Sequence, residues 1–205
     1  MGKYFFLASV LPAMPFSLGD KIPLSFSDIS HLVRRNIDPD DAPLLNALLM
    51  MTDISNIESF YNEHDVFTEG GVLTREEIEH KRNLPLFVKA FFEDKDRGVK
   101  RPYIFDALWE RYYEYVYSLA QEKDCQFLTD YISCDISLRN QLVTIRNKEG
   151  ERESENNFIL PHLGGHDLSA VLVQLKNQNN PLLAERLLDE ERLKHVFHCE
   201  GGDPF

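Results

Sequence analysis

The residues best suited to chemistry sit in the last third of the chain. The stretch PHLGGHD places His162, His166 and Asp167 close together, and HVFHCEGGD adds His195, His198 and Cys199. Imidazoles and a thiolate are good zinc ligands, and on a helix His195 and His198 can face one way. Yet His162 and His166 straddle Gly164-Gly165 rather than riding a helix, and H-E-x-x-H does not occur. The plainer reading is loop and helix-end histidines, the latter favoured by the negative end of a helix dipole. The sequence therefore leads us to expect no metal site and no cofactor.

Other catalytic patterns are missing from the sequence. There is no G-x-x-x-x-G-K-[ST], which excludes a P-loop ATPase, and no G-x-S-x-G. The paired acids Glu76-Glu77, Asp94/Asp96 and Glu190-Glu191 fall on polar helix faces or loops and read as solvated. The aromatic run from Trp109 to Tyr117 reads as core, or as a contact between subunits, rather than a cofactor box. No residue is assigned a catalytic role, and the expectation is a protein that is not an enzyme.

Composition narrows the partners. Of 205 residues, 43% are hydrophobic and 27% charged, with 14 Phe and 8 Tyr, enough apolar surface to build a core. A net charge of −12 argues against nucleic acid and against anionic lipid, both of which need clustered Lys and Arg. It suits a basic protein partner, or simply solubility. Cys125, Cys134 and Cys199 form no C-x-x-C pair and read as reduced thiols of a cytosolic protein. The apolar run Tyr4 to Leu11 is short for a signal peptide and has only Lys3 before it. No stretch approaches the ~18 apolar residues of a membrane span, so direct membrane insertion is not expected.

The elements that must position these residues are helices. Residues 1–11 read as a short strand or a buried helix, and Ser27 or Asp28 as the cap of a helix to Arg35. DPDD before Ala42-Pro43 starts a helix over 41–63, with Leu44, Leu48, Met51, Ile54, Ile57 and Tyr61 as its stripe and a break near Thr52-Asp53. Thr74 and Glu77 form a capping box, and a helix over 85–95 carries Phe87, Phe91 and Phe92. YIFDALWERYYEYVYSLAQE is the clearest helix, with Ile104, Leu108, Tyr112, Val116 and Leu119 in one stripe. Asp124 is expected to open a helix to about Asn147, and NKEGERESENN to be an exposed loop. Helices over 168–176 and 181–197 complete an all-α chain.

An internal repetition organises these helices. Asp53-Ile54-Ser55 recurs as Asp135-Ile136-Ser137, 82 residues later, and each is read as opening a helix. Each is followed by a loop, a Gly-Gly pair and a new helix: Gly70-Gly71 in EGGVLTREEI, Gly164-Gly165 in LGGHDLSAVL. Asp would cap orphan N–H groups, and the glycines would supply positive φ for sharp turns.

This order resembles the family of the A/V-type ATPase C subunit, similar to the eukaryotic V-ATPase d subunit. That family's helical pseudo-repeats carry an Asp-x-x-Asn-Ile helix start, a basic helix end and a later Gly-Gly-x-Leu. Here DISNI supplies Asp53 and Asn56, GGVLTREEI supplies Gly70 and Gly71, and NQLVTIRNK supplies Asn140 and Arg146. Two further residues separate Asp135 from Asn140, and two repeats stand where the family usually has three. The resemblance spans residues 40 to 175 and matches a short, divergent relative of the kind encoded in bacterial V-type ATPase gene clusters.

The resemblance implies two helical pseudo-repeats forming a curved or funnel-like bundle. They would divide into an N-terminal segment, 1–40, a first repeat, 41–98, and a second repeat with C-terminal helices, 99–205. It also implies a non-catalytic, central-stalk role, linking the central rotor axle to the membrane rotor ring for ion-transport coupling. The partners would be the V/A-type ATPase central-axle subunits and the membrane rotor ring, and the place the cytoplasmic side of the membrane, peripheral to it. The alternatives are a generic helical interaction module, or a His/Cys metal-binding hydrolase.

Overall fold

The computed structural model describes residues 4–12, 21, 23–98, 103–146, 157–178 and 180–199. Among these the protein is all-α, without a strand. Its helices are α1 (Phe5–Val10), α2 (Phe26–Asn36), α3 (Ala42–Tyr61), α4 (Arg75–Glu79), α5 (Leu86–Asp96), α6 (Ile104–Glu122), α7 (Gln126–Arg146), α8 (Ser169–Lys176) and α9 (Pro181–Cys199). None is long and apolar enough to cross a membrane. The charged stretch 147–156, the tail from 200 and the Arg146 side chain lie outside the described residues. The chain divides into two compact units, one up to Lys89 and the other from Ala90.

In the first unit α3 packs against α2 and α4. Its start follows the sequence reading, with Pro43 in the first turn and Asp41 at the N-cap, though the Asp41 side chain makes no cap bond. The expected break near Asp53 is absent. No Gly or Pro interrupts the segment, so propagation costs less than nucleating a second helix. Of the expected stripe Ile54 and Ile57 are buried while Leu44, Leu48, Met51 and Tyr61 are half-buried, and Ala47, Leu49 and the polar Asp53 and Asn56 join the buried face. The α2 cap is Ser25 rather than Ser27 or Asp28: Ser25 Oγ accepts from the Asp28 N–H, and Asp28 closes the capping box. The Thr74/Glu77 box at α4 is present as read. Residues Phe5–Val10 are neither strand nor buried helix, because α1 buries none of its side chains and leaves Phe5 and Phe6 exposed. Tyr4 ties its start down by donating to Asp41.

In the second unit α7 packs on α6, α8 and α9. The α6 face is aromatic, with Phe105, Trp109, Tyr112 and Tyr113 buried beside Leu108 and Val116. The turn after α6 places Asp124 at φ 52, and α7 begins two residues later than the sequence reading put it. Asp tolerates this left-handed conformation, which closes α6 with Cys125 N–H donating to Ala120 O. With neighbours on several sides, α7 is buried around its girth at Leu128, Ile132, Cys134, Ile136 and Leu138. Leu138 continues into a smaller cluster with Leu168, Leu175 and Leu188 from the C-terminal helices.

Candidate functional site

Asp53 sits in the middle of α3 and caps a different segment. Its carboxylate accepts from Val72 N–H at 2.9 Å and Leu73 N–H at 3.1 Å, the two amides just past Gly70-Gly71. One turn on, Asn56 pairs in both directions with Thr68, donating to its carbonyl and accepting from its N–H, each at 2.8 Å. One more turn on, Ser59 Oγ donates to Val66 O at 2.9 Å. A polar stripe at helical spacing thus holds the loop 66–73 along the helix.

Only Gly70 uses the positive φ expected of the pair, at 105°. Gly71 is needed for a different reason: a Cβ there would overlap the Asp53 carboxylate. The α2 helix, to which the sequence reading gives no role, braces this turn, since Arg34 Nη2 donates to Gly71 O at 2.6 Å and Phe26 lies against Gly70. Burial pushes the Asp53 carboxyl up to about 6, against the lowering effect of its two N–H donors and Arg34.

The second unit repeats this device in a register the sequence reading missed. Asn140 pairs in both directions with Ile159, each bond at 2.7 Å, as Asn56 does with Thr68. The residue three before it is Ser137, whose Oγ accepts from Gly165 N–H at 3.1 Å and His166 N–H at 3.3 Å. A Cβ on Gly164 would come 3.0 Å from Ser137 Oγ, the counterpart of the Gly71–Asp53 approach. Ser133 Oγ adds a bond to Leu163 O at 2.6 Å. The two helices therefore superpose in role as Asp53-x-x-Asn56 and Ser137-x-x-Asn140, 84 residues apart. Gly164 and Gly165 use no positive φ, and Gly165 has nothing near its Cβ position.

Asp135 is consequently not the partner of Asp53 and opens no helix. It faces α6 from within α7, accepting from the Tyr113 hydroxyl, with Arg139 Nε 3.6 Å from it. The Arg139 guanidinium lies over the Trp109 ring, 3.6 Å from its centroid. Burial, then the Asp135 charge, raises the Tyr113 hydroxyl well above its ordinary value, so it remains a donor. Tyr113 and Trp109 are buried and Asp135 and Arg139 partly so, and their mutual contacts orient α7 on α6.

The candidate ligands of the last third of the chain separate into two groups. His162, His198 and Asp167 are exposed, the last bonded to the Ser169 N–H. His166 and His195 meet edge to face with ring centroids 4.7 Å apart, and Cys134 joins them. One ligand atom from each of the three lies within 4.8 Å of the others. Cys199 Sγ is 3.3 Å from His195 Nε2, and the Asp130 carbonyl is 3.2 Å from the same nitrogen. Burial pushes the Cys134 thiol up to about 11, and burial with the neighbouring His195 holds His166 below its ordinary value. The sequence reading takes Cys134 only as a reduced thiol and Ser137 only as part of the repeated tripeptide. The available signal is the H-x-x-x-C spacing of His195 and Cys199, one helical turn.

The fold and these contacts define an all-α protein in which α3 and α7 each clamp the loop that follows them at a Gly-Gly turn. The chain belongs to the family described as a protein of unknown function (DUF2764), whose model matches residues 1–204. Neither the curated proteins nor the solved structures include a match to it.

Proposed function

We propose that the protein is a non-catalytic component of a bacterial V/A-type ATPase, similar in role to the C subunit and linking the central rotor axle to the membrane rotor ring. The observation that carries this reading is the Asp53-x-x-Asn56 stripe and its holding of the Gly70-Gly71 turn. Those are the residues on which the resemblance to that family rests. The analogous Ser137-x-x-Asn140 stripe supports descent of the two units from one helical repeat.

Torque transmission asks for helices that do not slide on their connections, and these side chains tie α3 and α7 each to the loop after it. The net charge of −12 is suited to meeting basic residues of an axle or ring loop. The protein would work at the cytoplasmic face of the membrane, held there by the complex. The test is purification of the ATPase from membranes through a tag on the axle. This chain is expected to co-elute with axle and ring proteins; its consistent absence from the assembled complex sinks the reading.

A second reading is a helical interaction module outside any ATPase. The exposed Leu182, Leu193 and Phe197 of α9 favour it, since apolar side chains on one helix suit a partner surface. A tag on this chain would then capture partners without axle or ring proteins.

A further inference from the structure

We propose that Cys134, His166 and His195 form, with Cys199, a zinc site that pins the end of α9 and the loop before α8 onto α7. The four side chains come from three separate segments, so their meeting is a product of the fold and not of sequence adjacency. Zinc bonds of about 2.3 Å to sulfur and 2.0–2.1 Å to nitrogen, in a tetrahedron, put ligand atoms roughly 3.3–3.8 Å apart. The Cys199–His195 separation of 3.3 Å is close to the ~3.5 Å of a sulfur–nitrogen pair, and a metal at that Nε2 would replace its 3.2 Å contact with the Asp130 carbonyl. The three-residue group, spread within 4.8 Å, needs to contract by at most roughly 1.5 Å. Two thiolates balance a dication, leaving the half-buried site neutral when loaded.

Two independent features point the same way. The His166 backbone is already held, because its N–H donates to Ser137 Oγ within the second loop clamp. Ser137 thus acts as a positioning residue for one ligand. On α9, Leu188 is the one buried residue, and from Glu191 to Cys199 none is. The half of the helix with the least apolar anchoring is the half that carries His195 and Cys199. A metal cross-link supplies there the attachment that hydrophobic burial does not.

The experiment uses the full chain, stripped with chelator and titrated anaerobically with cobalt(II), then zinc(II). One equivalent of cobalt should bind with the visible bands of tetrahedral coordination and a thiolate charge-transfer band, and zinc should displace it. Cys199→Ser and His166→Gln, at half-exposed positions, should each weaken cobalt binding at least about tenfold. Cys134→Ser should do the same, and His162→Gln, at an exposed position outside the group, should leave it unchanged. Zinc should also slow amide exchange over residues 191–199. Failure of the wild-type chain to bind one equivalent overturns the proposal. So does binding unaltered by both Cys199→Ser and His166→Gln, with folding checked by circular dichroism.

Discussion

Replacing Gly71 by Ala tests the first clamp most directly. A Cβ at that position overlaps Asp53 Oδ1 and lies 2.9 Å from Asp53 Cγ, so the carboxylate must move by more than about 1 Å to restore van der Waals contact. That motion stretches both of its backbone bonds, 2.9 Å from Val72 N–H and 3.1 Å from Leu73 N–H, past useful length. Asp53 is 1% exposed, so water does not substitute. Hydrogen bonds to a charged acceptor contribute about 1.5–3 kcal/mol each, and losing one to both outweighs the ~0.4–1 kcal/mol that Ala recovers from the unfolded chain.

The expected net loss is about 2–4 kcal/mol, read as a lower midpoint in urea unfolding followed by far-ultraviolet circular dichroism. Amide exchange at Val72 and Leu73 should accelerate in parallel. Because the cost runs through one carboxylate, it should collapse to below about 1 kcal/mol when Gly71→Ala is made in an Asp53→Ala background. An equal cost in both backgrounds, or a Gly71→Ala protein as stable as the parent, would mean that the Asp53 carboxylate does not hold this turn.

Further outcomes follow from the other contacts. The folded Asp53 carboxyl is raised to about 6, above its unfolded value, so its contribution is fully present below about pH 4 and is lost as pH rises through 6. The stability of the parent relative to Asp53→Asn should therefore fall by about 2 kcal/mol between pH 4 and 7, and a flat difference would contradict it. Asn140→Ala strands the buried Ile159 N–H and removes both bonds of the second clamp. It should cost about 2–3 kcal/mol and speed exchange at Ile159, with no change at Thr68. Arg139→Lys keeps the charge but loses the planar stack on Trp109. It should shift Trp109 fluorescence and cost about 1 kcal/mol, and an unchanged spectrum would argue against the stack.

Much of the fold is legible in the chain. The capping box at Thr74/Glu77, the α6 stripe and the spans of α5, α8 and α9 follow from local spacing, because helix periodicity and caps are short-range signals. The misreadings at Asp53, Asp135 and Ser137 share one cause. Asp, Ser and Asn near a helix read as caps of that helix, since that is their usual local use. In α3 and α7 the same side chains accept from amides 12 to 29 residues away. The repeated tripeptide Asp-Ile-Ser draws attention to Asp135, whereas the matching role belongs to Ser137, a residue of different charge that accepts in the same place.

By itself the sequence determined an all-α protein with neither P-loop nor nucleophile elbow, and marked Asp53, Asn56, Gly70, Gly71 and Asn140 as residues of consequence. It did so because periodicity, caps and glycine turns are written within a few residues of one another. Tertiary structure alone decided which carbonyls and amides those side chains hold. It alone turned Asp135 toward Tyr113 and brought Cys134 to His166 and His195. Such meetings depend on how helices far apart in the chain pack, and no local pattern encodes that geometry.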